Sequence, residues 1–300
     1  MKEMDRRDFL KLLGMGGVGV VFVSGLGNLT HAASNTVMKD GFSFVQMSDT
    51  HWGFTDAAVN PNSKVTLKKA VAAVNKLKRK PDFVIFTGDL THNTDDPKER
   101  RKRMEEFKNI IKDLKVESVK FIPGEHDASM DNGEAFKEFF GKTHYTFDHK
   151  GVHFIALDNV SDPRGSLGVD QLQWLDEEMK KLDKDSQIIV LTHRPLFSLY
   201  PQWEWVTPDG AKAIDILMPF SNVTVFYGHI HQEHHDMTGH ISHHAAKGLM
   251  YPLPAPGSMP KRSPVPWDPS APYRGLGFRG IEAGAANKEP ILNEYPIQES

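Results

Sequence analysis

The sequence predicts an α/β protein built on mixed sheets. Three observations carry that prediction. Strand-length apolar runs alternate with amphipathic stretches, the pattern of a layered α/β core. A hairpin pattern and a strand-like tail interrupt the alternation, so the sheet is not purely parallel. The composition, 39% hydrophobic and 25% charged, is that of an ordinary soluble domain.

Taken in order, Phe42-Ser48 reads as a strand. Lys64-Lys80 reads as a helix with apolar Val65, Leu67, Val71, Val74 and Leu77. Phe83-Thr87 is a buried strand ended by Gly88-Asp89, and Pro97-Leu114 is a charged helix. Val119-Ile122 is a short strand broken by Pro123-Gly124. Tyr145-Asp148 and Val152-Asp158 flank His149-Lys150-Gly151 and form a hairpin. Val169-Leu182 is a helix with Leu172, Leu175 and Met179 on one face. Ile188-Thr192 and Val223-Tyr227 are apolar strands, and the tail is strand-like from Phe278. Eight prolines between Pro252 and Pro272 forbid helix or central strand there. A long irregular loop over about residues 250–275 follows.

The 300 residues show no internal repeat and no second domain boundary. A formal net charge of −3 excludes a general nucleic-acid binder, which needs a basic face, and no nucleic-acid groove is evident. The absence of cysteine excludes a disulfide scaffold, a cysteine nucleophile and a thiolate metal site. Fifteen histidines are the unusual number.

The N-terminus reads as an address. Asp5-Arg6-Arg7-Asp8-Phe9-Leu10-Lys11 precedes an uncharged, glycine-rich stretch from Leu12 to Thr30, then His31-Ala32-Ala33. This resembles a bacterial twin-arginine signal, with Asp5 in place of the usual Ser or Thr. The alternative is a retained membrane anchor, which the glycines weaken. The resemblance implies a signal over residues 1–33 and a mature domain over 40–300. It also implies export by the twin-arginine machinery to the periplasm, with no stable membrane anchor after cleavage.

Five short segments each follow a predicted strand. They are Asp49-Thr50-His51, Gly88-Asp89, Gly124-Glu125-His126-Asp127, His193, and Gly228-His229-Ile230-His231. Residues after strand carboxyl ends converge on one crevice in open α/β folds. The oxygen and nitrogen donors suit Mn, Fe, Zn or Ni. Each motif alone is a weak signal; the five together at strand ends are specific.

The set resembles the calcineurin-like metallophosphoesterase superfamily, over roughly Phe42 to His231. That resemblance implies a four-layer α/β/β/α sandwich with mixed sheets and two divalent or trivalent metal ions, Mn or Fe foremost. It implies that Asp49, His51 and His231 hold the first metal and that Glu125, His193 and His229 hold the second. Asp89 would bridge both. His126 would protonate the leaving group or stabilise the transition state of a small phosphate ester. A carboxylate bridge moderates the repulsion of two cations about 3.5–4 Å apart, and water held between them is a nucleophile near neutral pH.

Five features depart from the pattern or extend it. Glu125 stands where the family usually has Asn, which adds a negative charge and weakens attraction for a phosphate dianion. This favours a more highly charged metal or a monoanionic diester over a damaged site. His92 occupies the place of the tyrosine of purple acid phosphatases, either as an extra ligand, as a partner of His126, or as a rim residue. Arg194 either clamps phosphate oxygens or forms a surface salt bridge. The histidines of Gln232-Ala246 lie on a predicted hairpin turning at Gly239, which either borders the site or is a hydrated surface. The proline-rich loop, with Trp267, Tyr273, Trp203 and Trp205, either caps the site as an apolar wall or packs on the body.

Overall fold

The computed structural model describes residues 41–284 and 289–299, so the predicted signal at 1–33 lies outside the described residues. Eleven strands are described, in two sheets. The first contains β1 (Phe42–Met47), β2 (Phe83–Thr87), β3 (Ser118–Ile122), β10 (Gly277–Ala283) and β11 (Ile291–Pro296), in the order β11-β10-β1-β2-β3. Here β1, β2 and β3 are parallel, while β10 and β11 are antiparallel additions. The second contains β4 (Tyr145–His149), β5 (Val152–Ala156), β6 (Gln187–Leu191), β7 (Asn222–Tyr227), β8 (His234–Thr238) and β9 (Ile241–Ala245). Its order is β4-β5-β6-β7-β9-β8, parallel within and antiparallel at both edges.

Six α-helices are described. They are α1 (Ser63–Asn75), α2 (Pro97–Ile111), α3 (Glu125–Ala128), α4 (Glu134–Phe140), α5 (Val169–Met179) and α6 (Gly210–Leu217). Three apolar clusters separate four layers. Between the sheets, Phe42, Phe44, Phe83 and Ile85 meet Phe154, Ile189, Leu191 and Phe226. Outside the first sheet, Leu67, Val71, Phe107 and Phe136 of α1, α2 and α4 cover Val45, Met47, Val84 and Phe86. Outside the second, Leu172, Leu175, Ile214 and Leu217 of α5 and α6 cover Ile188, Val190, Val223 and Val225. This is the α/β/β/α sandwich. Strands buried on both faces explain why β2 and β6 read as unbroken apolar runs. Each buried phenylalanine contributes about 1.5–3 kcal/mol through area removed from water.

The predicted strands and the helices α1, α2 and α5 occur in place, with ends shifted by a few residues. Val65 is 43% exposed, because the buried stripe of α1 runs instead through Ser63, Thr66, Leu67, Ala70, Val71 and Val74. α3, α4 and α6 were not foreseen; each is short and follows a glycine or aspartate turn, leaving little periodicity to read. Asp96 caps α2 by accepting from Lys98 N–H, with Pro97 at its first turn. Among the described residues, no helix is long and apolar enough to cross a membrane.

The histidine hairpin is β8 and β9: the edge strand β8 leaves His235 and Met237 exposed to water, whereas β9 is buried. β9 pairs with β7 inside the sheet, and His243 is fully buried beside Phe197, ring centroids 5.0 Å apart. Neither ring nitrogen of His243 has a hydrogen-bond partner, and burial lowers its pKa to about 4 against a partial pull upward from Asp236. The unfolded chain binds a proton at pH 6.5 that the folded chain refuses until about pH 4. Stability is therefore complete above pH 6.5 and falls on acidification, by at most about 1.4 kcal/mol per pH unit for this one group. Urea midpoints of His243→Leu and wild type are expected to converge, or cross in favour of the variant, between pH 6.5 and 4. A constant gap across that window would show that His243 does not couple folding to pH.

Candidate metal centre

The carboxyl ends of β1, β2, β3, β6 and β7 feed five loops into one crevice. Asp49, His51, Asp89, His229 and His231 all have positive φ, between 38° and 65°. Such backbone is uncommon outside glycine and concentrates at functional sites. The flanking glycines permit the close packing. A Cβ on Gly88 would lie 2.3 Å from His193 Nδ1, and one on Gly124 would lie 2.1 Å from Asp89 N.

All seven predicted ligands converge. Their donor atoms form overlapping groups, each within 4.8 Å: Asp49, His51 and His231; Glu125, His193 and His229; Asp49, Asp89 and His193. His231 Nε2 is 3.2 Å from Asp49 Oδ1 and 3.2 Å from His51 Nε2. His193 Nε2 and His229 Nδ1 each lie 2.9 Å from a Glu125 oxygen. Asp89 Oδ2 stands between the two groups, 3.4 Å from His51 Nε2 and 3.5 Å from His193 Nε2.

The donor set fits cations. His193 Nδ1 donates to Thr87 O at 2.7 Å, His231 Nδ1 to Tyr251 O at 2.6 Å, and His229 Nε2 to Glu204 O at 3.2 Å. A carbonyl only accepts, so each ring carries its proton on the outer nitrogen. The inner nitrogens then turn lone pairs toward carboxylates and toward each other. Buried His193 Nε2 and Glu125 Oε2 have no hydrogen-bond partner. Lone pairs facing lone pairs at these distances repel unless a cation sits among them, and histidines pinned from behind are the usual support of metal ligands.

The electrostatics agree. Burial works against the charge on Glu125, but His229 and His193 hold its carboxyl well below the usual range. Burial, then His126 and His231, keep His51 neutral well below its ordinary value. Burial opposes a proton on His193, but Asp89 and Glu125 outweigh it and raise its pKa well above normal.

The remaining predicted residues also reach the crevice. His126 Nε2 is 3.9 Å from Asp89 Oδ2, and its Nδ1 accepts from Asn93 N–H at 3.2 Å. Arg194 is no surface salt bridge. It is tucked against the glycine turn at Gly165, with buried Nε 3.7 Å from Glu125 Oε2 and no hydrogen-bond acceptor. His92 is not at a bland rim: its Nδ1 is 3.4 Å from His51 Nδ1.

Three residues support the centre: Asp127, whose motif was read from the sequence without a role for it, and Tyr251 and Arg262, which sequence reading missed. Asp127 accepts from Leu90 N, Thr91 N, Thr91 Oγ1 and Gly124 N, at 2.9–3.0 Å. It ties the Gly-Asp loop to the Gly-Glu-His loop; burial, then Asp89, raise its pKa to about 6. Tyr251 stacks on the His231 and His51 rings, at 4.6 and 5.2 Å. Arg262, from the proline-rich loop, donates to Trp203 O at 3.3 Å and lies 3.4 Å from His229 Nε2, with Glu204 Oε2 3.7 Å away. That loop therefore meets the site through a cation. Trp203 and Trp205 are buried in the core cluster of Tyr227 and Tyr251, so they form no wall toward a substrate. Only the conspicuous proline density signalled this segment.

Comparison with known proteins agrees with this geometry. The chain is 30% identical over 164 residues to a "probable glycerophosphodiester phosphodiesterase" of Arcobacter nitrofigilis, covering 50% of this chain and 56% of that protein. It is 27% identical over 180 residues to the mouse "serine/threonine-protein phosphatase CPPED1", covering 53% of this chain and 58% of that protein. It is 28% identical over 201 residues to a "probable cyclic nucleotide phosphodiesterase" of Fibrobacter succinogenes, covering 63% and 72%. The chain thus spans little more than half the length of the first two. A dimetal phosphatase from Danio rerio shares the fold at a TM-score of 0.53 and 13% identity, over 85% of this chain and 99% of that one. Residues 42–233 match the calcineurin-like phosphoesterase family, a span that holds every one of the converging ligands. With its sandwich and its histidine–carboxylate centre, the chain belongs to that family.

Proposed function

We propose that the protein is an exported dinuclear phosphoesterase acting on small phosphate esters, diesters foremost. The observation that carries the dinuclear reading is Asp89 Oδ2, within 3.5 Å of a histidine from each ligand group. Asp49, His51 and His231 would hold one cation and Glu125, His193 and His229 the other, with Asp89 shared. Two bound cations supply an activated water and neutralise phosphoryl oxygens. Mn and Fe suit the donors, as do Zn and Ni. Export rests on the Arg6-Arg7 segment, and the periplasm is the compartment it implies.

The chain's own residues then act on the ester. Arg194, with an unused buried Nε–H, is aimed to donate to a phosphoryl oxygen beside Glu125. His126 accepts from Asn93 N–H at Nδ1, so its neutral ring bears the proton on Nε2, facing the site. That N–H stabilises charge on the leaving oxygen by donating a hydrogen bond. A doubly protonated ring would lose the Asn93 contact, so transition-state stabilisation fits the geometry better than full proton release.

Relatives named as phosphodiesterases support the diester reading, as does the extra charge of Glu125. Arg194 offsets that charge and is the observation on the monoester side. The test is hydrolysis of a chromogenic diester and its monoester by the chain from Ser34 onward, reconstituted with Mn or Fe. Faster diester turnover is expected. No turnover from protein holding two metals per chain would replace the enzyme reading with a metal-binding scaffold. Glu125→Asn is expected to keep two metals and to shift the preference toward the monoester. Loss of the second metal in that variant would overturn the charge argument.

A further inference from the structure

Four histidines in the centre need their outer ring nitrogen held. For His193, His229 and His231 a backbone carbonyl does it. His51 has no carbonyl. Its Nδ1 faces His92 Nδ1 at 3.4 Å, while its Nε2 faces His231 Nε2 and Asp89 Oδ2. An Nε2 lone pair requires the proton on Nδ1, and that N–H needs an acceptor. His92 Nδ1 is the acceptor within reach, which leaves the His92 proton on its own Nε2.

The next residue does the same for His126, whose Nδ1 accepts from Asn93 N–H. One dipeptide therefore addresses both rings. It is firmly held itself. His92 N–H donates to Trp52 O at 2.9 Å, and its ring meets Phe54 edge-on at 5.1 Å. Arg103 of α2 donates Nη1–H to His92 O at 2.9 Å and to Asn93 O at 3.1 Å. Arg103 is in turn paired with Glu99 at 3.0 Å and packed under Gly53, where a Cβ would lie 2.6 Å from its side chain.

We propose that His92-Asn93, clamped by Arg103, is a positioning element that sets the tautomers of His51 and His126 together. His92 acts through His51 and does not itself touch substrate. The inference rests on the reading of His51 as a metal ligand. A carbonyl can only accept, but an imidazole can be replaced by a side chain that cannot, so this support is open to a direct test.

Two substitutions separate hydrogen bonding from packing. His92→Phe keeps the ring against Phe54 and removes the acceptor. His92→Asn removes the ring and keeps an acceptor, Oδ1, near the place of Nδ1. Mn(II) binding by calorimetry is the readout, with no activity required. Wild type is expected to bind two ions. His92→Phe is expected to weaken one of them by about 10–100-fold, the usual effect of losing a ligand's outer support, and to leave the other unchanged. His92→Asn is expected to retain most of the affinity. The reverse order, or equal weakening of both ions in His92→Phe, would assign His92 to packing and overturn the proposal. Wild type binding fewer than two ions would instead overturn the dinuclear reading. A second measurement needs no variant. Imidazole ¹⁵N spectra of the zinc-loaded protein are expected to place the proton of His51 on Nδ1, with both His92 and His126 protonated on Nε2. A proton on His92 Nδ1 would overturn the proposal whatever the variants do.

Discussion

Replacing His126 by alanine is expected to lower the rate of ester hydrolysis by about 10²–10⁴-fold, with both metals retained. The ring is not among the seven side chains proposed as ligands. Its Nε2 lies 3.9 Å from Asp89 Oδ2 at the open side of the centre, and it is partly exposed to solvent. The stabilisation it offers is worth most when the leaving oxygen is strongly basic. The loss is therefore expected to be large for alkyl esters and small for an ester of an acidic phenol. Rates against leaving-group basicity, for wild type and His126→Ala, check this directly. Parallel lines would mean that His126 does not act on the leaving oxygen.

Asp127→Ala is expected to cost about 3–5 kcal/mol of stability and to abolish tight metal binding. The magnitude follows from the donors left behind. Leu90 N, Thr91 N and Gly124 N all end on this one carboxylate in a site sealed from water. Each buried donor without an acceptor costs about 1–3 kcal/mol, less whatever the loop recovers by moving. The same movement displaces Asp89, whose Oδ1 also accepts from His126 N–H at 2.9 Å. Asp127→Asn keeps the volume but presents an amide N–H₂ to some of those donors, so most of the loss is expected there too. Denaturant midpoints and metal content are the measurements. Unchanged metal content in a destabilised Asp127→Ala would confine Asp127 to folding.

Much of this was legible in the chain. Strand runs such as Phe83-Thr87 and Ile188-Thr192 are apolar because two layers bury them. The seven ligands could be named because aspartate and histidine at strand ends form short, local motifs. An α/β layered core and the crevice follow from those two patterns; the four-layer order is what the family resemblance implied. What sequence reading missed has a common cause. Asp127 matters through donors 36 and 37 residues away, and Arg262 through a loop 33 residues from His229. His92 was singled out in the sequence, but the ring it faces, His51, lies 41 residues before it. Such contacts leave no spacing to read, because they are made only when separate strands deliver their ends to one place. The sequence by itself determined the layers, the donor types and the family. The tertiary structure decided which nitrogen of each ring faces inward, that Arg194 and Arg262 border the centre, and that Trp203 and Trp205 do not. Tautomer and approach are set by hydrogen-bond partners, and those partners come from distant segments of the chain.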